Sequence, residues 1–131
     1  MYQAGVSAYR RLEVNTLDDP NKIVYKLFER AVQELRLALN ELDSPRERNR
    51  HLGRAIRLVA ELQAGVNLEA GEPAEFLFAL YGAIIRALSR VDGNPEEARE
   101  TIERSIRYLA ELQKIWARSV LGRNKPEEKK D

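Results

Sequence analysis

The sequence predicts an all-α protein, an antiparallel up-down-up-down four-helix bundle, and three observations predict it. Prolines at four separate capping motifs each open a segment long enough for several helical turns. Each segment carries apolar side chains at three- and four-residue spacing, the period of a helix with one buried face. Period-two alternation, the mark of a half-buried strand, is absent.

The N-terminal 19 residues mix Tyr2, Val6, Tyr9, Leu12, Val14 and Leu17 with turn formers. Tyr2, Val6 and Tyr9 can share a helical face, so residues 1–19 read as an arm with a short helix. Asp19 and Pro20 then open a helix over 20–42, because a proline at the first helical position lacks only an N–H that would have had no partner. Its main stripe is Val24, Phe28, Ala31, Leu35, Ala38 and Leu42; Tyr25, Val32 and Leu39, seven apart, make a second. Ser44, Pro45 and Glu47 form a capping-box pattern. The helix they start, over 45–66, has a core stripe of Leu52, Ala55, Ile56, Val59, Gln63 and Val66, with Leu58 and Leu62 at one edge.

The third helix opens at Gly71, Glu72 and Pro73 and contains the most apolar stretch of the chain, Phe76 to Val91. Leu77, Leu80, Tyr81, Ile84, Leu88 and Val91 form the stripe a bundle helix buries, whereas Phe78 and Ile85 lie outside it, with Phe76 and Ala87 on the other flank. This helix needs a second apolar neighbour. Asn94, Pro95 and Glu97 cap the fourth helix, over 95–120, which buries Ala98, Ile102, Ile106, Leu109, Leu112 and Trp116, with Tyr108 and Ile115 flanking. Connections of a few residues force successive helices antiparallel, giving a bundle over 20–121. The charged residues 122–131 have nothing to bury and read as a disordered tail.

Composition narrows the function. A chain of 131 residues is one domain that can bury a core without disulfides or metals, and it has no cysteine. Its formal net charge of +1 supplies no global field for nucleic acid. No apolar run reaches the roughly 20 residues that span a bilayer, and nothing resembles a signal peptide, so a soluble, cytoplasmic protein without membrane insertion is expected. Arginine far outnumbers lysine, which suits surface ion-pair networks.

Catalytic raw material is thin. The chain has a single histidine, His51, four residues from Glu47, whereas a di-iron bundle needs two Glu-x-x-His pairs; no metal, no cofactor and no enzymatic activity are expected. The segment around His51 is similar to the phosphoacceptor helix of phosphotransfer bundles, but the lysine those helices place beside the histidine is missing. A signalling bundle using His51 is therefore the alternative reading, and a solvated helix-face histidine the leading one. The basic run Arg46, Arg48, Arg50, Arg54 and Arg57 has no interleaved aromatics, so it reads as a wet outer face balanced by Glu47 and by acids on other helices. The second stripes keep two readings: interior of a snug or dimerising bundle, as in a self-associating helical adaptor, or a groove for a partner's amphipathic helices.

From Tyr9 to about Trp116 the sequence resembles the flagellin-specific export chaperones of the FliS family. Tyr9, Val14, Thr16 and Pro20 match the family's opening; Ile23, Val24, Leu27 and Glu29 its first helix; Ala55, Ile56, Val59, Glu61, Leu62, Val66 and Asn67 its second. Gly71, Glu72, Ala74, Phe76, Leu77, Leu80 and Tyr81 match the third, and Leu109, Leu112 and Trp116 the last. Lys26, Phe28 and Arg30 depart from the pattern and mark a divergent member. The resemblance implies a cytoplasmic chaperone that binds the C-terminal segment of flagellin, prevents premature polymerisation and delivers it to the gate of the flagellar type III export apparatus. It also implies an N-terminal arm lying on part of the same surface. Candidate flagellin-binding residues are Tyr9, Val14, Tyr25, Phe28, Val32, Leu39, Phe78, Tyr81 and Ile85. The free protein is expected to be a monomer or a weak homodimer.

Overall fold

A computed structural model of the chain describes residues 20–118. They form four α-helices, α1 (Pro20–Leu39), α2 (Pro45–Ala64), α3 (Glu72–Ser89) and α4 (Pro95–Trp116), and no strand. Each helix begins with its proline in the first turn. The residues proposed for the arm, including Tyr9 and Val14, lie outside the described residues, as does the charged tail.

Helix ends differ from expectation in ways the local chemistry explains. Helix α1 stops at Leu39 and turns through 40–43, yet Leu42 still reaches the core. Helix α2 stops at Ala64, and a 3-10 turn at Leu68–Ala70 follows, not foreseen from the sequence, with the Asn67 side chain accepting from the Glu69 N–H at 3.1 Å. Gly71 then enters α3 at φ 106°, a conformation a side chain would strain. Asn94 caps α4 as expected, its Oδ1 accepting from the N–H groups of Glu96 and Glu97 at 2.9 and 3.2 Å. The capping box at Ser44 does not form: the Ser44 side chain makes no cap bond, and the Glu47 carboxylate pairs with Arg50 instead of reaching back. That neighbouring guanidinium holds the Glu47 carboxyl below its usual pKa.

Around the bundle the helices run α2, α1, α4, α3, with α1 opposite α3 and α2 opposite α4. The α1–α2 seam is the most extensive and the α3–α4 seam the thinnest. Because α1 packs against both α2 and α4, its buried face is wide, taking in Ile23, Leu27, Phe28, Ala31, Val32, Leu35 and Ala38. This corrects the two-stripe reading of that helix: Val32 belongs to the core, and Ile23 and Leu27, assigned to neither stripe, are buried. Leu62 is likewise interior rather than at an edge.

Candidate protein-binding surface

The sequence-derived candidates divide by burial. Phe28 (1% exposed) and Tyr81 (3%) are core residues, as their place on the main stripes predicts, and Val32 (7%), read on the second stripe, is core as well, so none of these three cargo candidates is open on the free bundle. Phe28 and Tyr81 meet across the interior with ring centroids 6.3 Å apart, and Trp116 lies 6.4 Å from Phe28 and 6.2 Å from Tyr25. This aromatic chain fills the end of the bundle where α1 starts and α4 finishes, and burial raises the Tyr81 phenol pKa above its ordinary value. Tyr25, Leu39 and Ile85 are half-buried, and Phe78 is exposed. Phe78 and Ile85 sit on the flank of α3 that faces α2, where the Phe78 carbonyl accepts from Gln63 Nε2 at 3.1 Å. Gly82 lies on that flank too: a Cβ there would come within 3.1 Å of Gln63 Nε2 and crowd the amide that bonds the Phe78 carbonyl.

The other flank of α3 is more open. At its C-terminal end a cavity of about 80 Å³ is lined by Ala87, Arg90 and Val91 from the end of α3 and by Glu97, Ala98 and Thr101 from the start of α4. Those residues mark the α3–α4 seam. Followed along α3, the line through Ala87 passes Leu80 and Phe76; followed along α4, the line through Thr101 passes Tyr108 and Ile115 at seven-residue steps. Since the helices are antiparallel, Phe76 (69% exposed), Tyr108 (46%) and Ile115 (50%) come to the same half of the molecule, on the two walls of its thinnest seam. Large apolar side chains this exposed, gathered on one face, mark an interaction surface. None of the three was among the candidates. The seven-residue step from Tyr108 to Ile115 and the flank position of Phe76 were the available signals.

The polar candidates behave differently from their sequence reading. His51 is not a solvated helix-face residue: its side chain is 12% exposed, and Nδ1 donates to Glu34 Oε1 at 2.8 Å across the α1–α2 seam. A phosphoacceptor needs access that this packing does not give. Arg48 is not on the wet face either. It is 2% exposed, one turn before Leu52 on the buried stripe; its Nε donates to Asn49 Oδ1 at 3.1 Å, and its Nη1 is buried with no hydrogen-bond partner among the described residues. Glu61 has a buried Oε1 in the same condition, and burial raises the pKa of its carboxyl. Among the described residues no three His, Asp or Glu side chains gather to hold a metal ion, and no helix is long and apolar enough to cross a membrane.

The family model described as flagellar protein FliS matches residues 1–122, nearly the whole chain. No curated protein matches it at a significant level. A match over that length, on a bundle of four helices with one open apolar seam, shows that the chain belongs to the FliS family of flagellar secretion chaperones.

Proposed function

We propose that this chaperone binds the C-terminal segment of flagellin in the cytosol, keeps it from polymerising, and hands it to the flagellar type III export gate, with no enzymatic step. Membership in the FliS family supports the reading, and the observation that carries it is the α3–α4 seam with Phe76, Tyr108 and Ile115 exposed along its walls. A segment that is disordered when free and folds on binding loses several kcal/mol to ordering, so it must bury a long apolar surface to bind well. An amphipathic helix laid in a seam between two helices provides such area, with anchors at three-, four- and seven-residue spacing. Half-buried Tyr25, Leu39 and Ile85 and exposed Phe78 extend the apolar surface onto the other seams, in keeping with cargo that wraps around the bundle. The enclosed ring of His51 speaks against the phosphotransfer alternative.

The test is co-expression with the host's flagellin followed by a pull-down, comparing intact flagellin with a version lacking its C-terminal segment. Intact flagellin is retained and the shortened form is lost. Equal retention of both would sink the proposal.

A further inference from the structure

We infer that the outer face of α2 is a second docking surface, independent of the apolar seam, and that its partner is an acidic helical segment of another protein. Arg46, Arg50, Arg54 and Arg57 follow one another at steps of four, four and three residues, within about 80° of arc on a helical wheel. All four are exposed. The opposite side of α2, carrying Leu52, Ala55 and Val59, is the side buried in the core. Arg50 pairs with Glu47 on its own helix; Arg46, Arg54 and Arg57 have no carboxylate within ion-pair distance among the described residues. Glu34 on α1 and Glu41 just after it act on Arg50 at longer range, but neither forms an ion pair with the row among the described residues. Glu61, one turn beyond Arg57, ends the stripe.

The occupant follows from charge and shape. Four-residue steps on a helix place guanidinium groups about 6 Å apart along the axis. A second helix with carboxylates at the same spacing matches that row, and arginine's planar fork suits a carboxylate better than lysine does. Small or short side chains, Asn49, Gly53 and Ala60, border the row on one side, where a helix can approach closely; Glu47 and Leu58 border it on the other. The face has no aromatic side chain on which a base could stack, and its one large apolar neighbour, Leu58, is half-buried at the edge, which disfavours nucleic acid and membrane. Because α2 lies opposite α4, an acidic helix on this face leaves Tyr108 and Ile115 free, so both surfaces can be occupied together.

The probe is a fluorescein-labelled designed helical peptide with glutamates at positions i, i+4, i+8 and i+11 and alanines between them, titrated with the full chain and followed by anisotropy. Binding is expected at low salt, weakening severalfold by moderate salt. The triple variant R46Q/R54Q/R57Q should bind about tenfold more weakly, from three exposed pairs of ordinary strength. R54Q and R57Q alone should each lose about twofold, which guards against any effect of the triple change on folding. The variant R99Q/R104Q/R107Q removes the same charge from α4 and should bind as the unaltered chain does. Equal weakening by the two triple variants would mean general charge attraction and overturn the inference. Tighter binding of a uridine oligonucleotide, or of phosphatidylserine vesicles, than of the peptide would overturn it in favour of that polyanion.

Discussion

The α1–α2 half of the bundle and the α3–α4 half are built to opposite rules. Along the first seam nearly every side chain that points inward is covered, down to polar groups such as Glu34 and His51. Along the second, aromatic and aliphatic side chains stand exposed on both walls. One seam holds the fold together, and the other is left unfilled by the described chain. Substitution in the two halves must therefore separate stability from binding. Leu35→Ala, at a site with no exposure, should cost about 2–5 kcal/mol in guanidinium unfolding. Phe76→Ser should change stability by less than about 0.5 kcal/mol, since the ring is already largely in water. Equal losses from both would erase the distinction.

The buried side of α2 also contains a weakness that sharpens the contrast. Arg48 has a guanidinium nitrogen enclosed without a partner, and such a group carries its desolvation cost uncompensated. Methionine is unbranched, fills similar space and needs no hydrogen bond. Arg48→Met should therefore stabilise the bundle by about 1–3 kcal/mol, read as a higher denaturant midpoint at unchanged slope. A fall in the midpoint would show that the cation is favourably held. On the open seam the comparable test is affinity: Phe76→Ser and Tyr108→Ser should each weaken flagellin binding about tenfold in calorimetric titration, with unchanged melting. Unaltered affinity in both would move the cargo surface elsewhere.

What the sequence made legible follows the range of the interaction. Helix number and starts were readable because a proline and its capping residue act within one turn. The core stripes were readable to the extent that one helix face meets one neighbour. Apolar spacing cannot tell which flank a neighbour covers, so Val32 was read onto a second stripe although it is core, while Tyr108 and Ile115 were passed over as mere flanks; Phe28 and Tyr81, which spacing put on the buried stripes, joined the cargo candidates only through the family resemblance. The pairing of His51 with Glu34 joins residues 17 apart on different helices, and no periodicity within either helix encodes it. Arg48 was the opposite case. Its position four before Leu52 placed it on the buried stripe, but its charge pulled the reading towards water.

The smallest effect separates two helix starts that look alike in sequence, one in each half. Ser44-Pro45 and Asn94-Pro95 both place a capping side chain before a proline, with a glutamate three residues on. Only Asn94 uses its side chain, satisfying two N–H groups at the start of α4; Ser44 contributes its backbone carbonyl, which accepts from the Arg48 N–H at 2.8 Å. A carbonyl survives any side-chain substitution. Asn94→Ala should accordingly cost about 1 kcal/mol, within the usual range for a lost cap, and Ser44→Ala only a few tenths. Paired denaturation curves give the difference directly, free of any cargo. If Ser44→Ala proved as costly as Asn94→Ala, the Ser44 hydroxyl would be capping α2 in solution and Glu47 would have to share itself between that cap and Arg50.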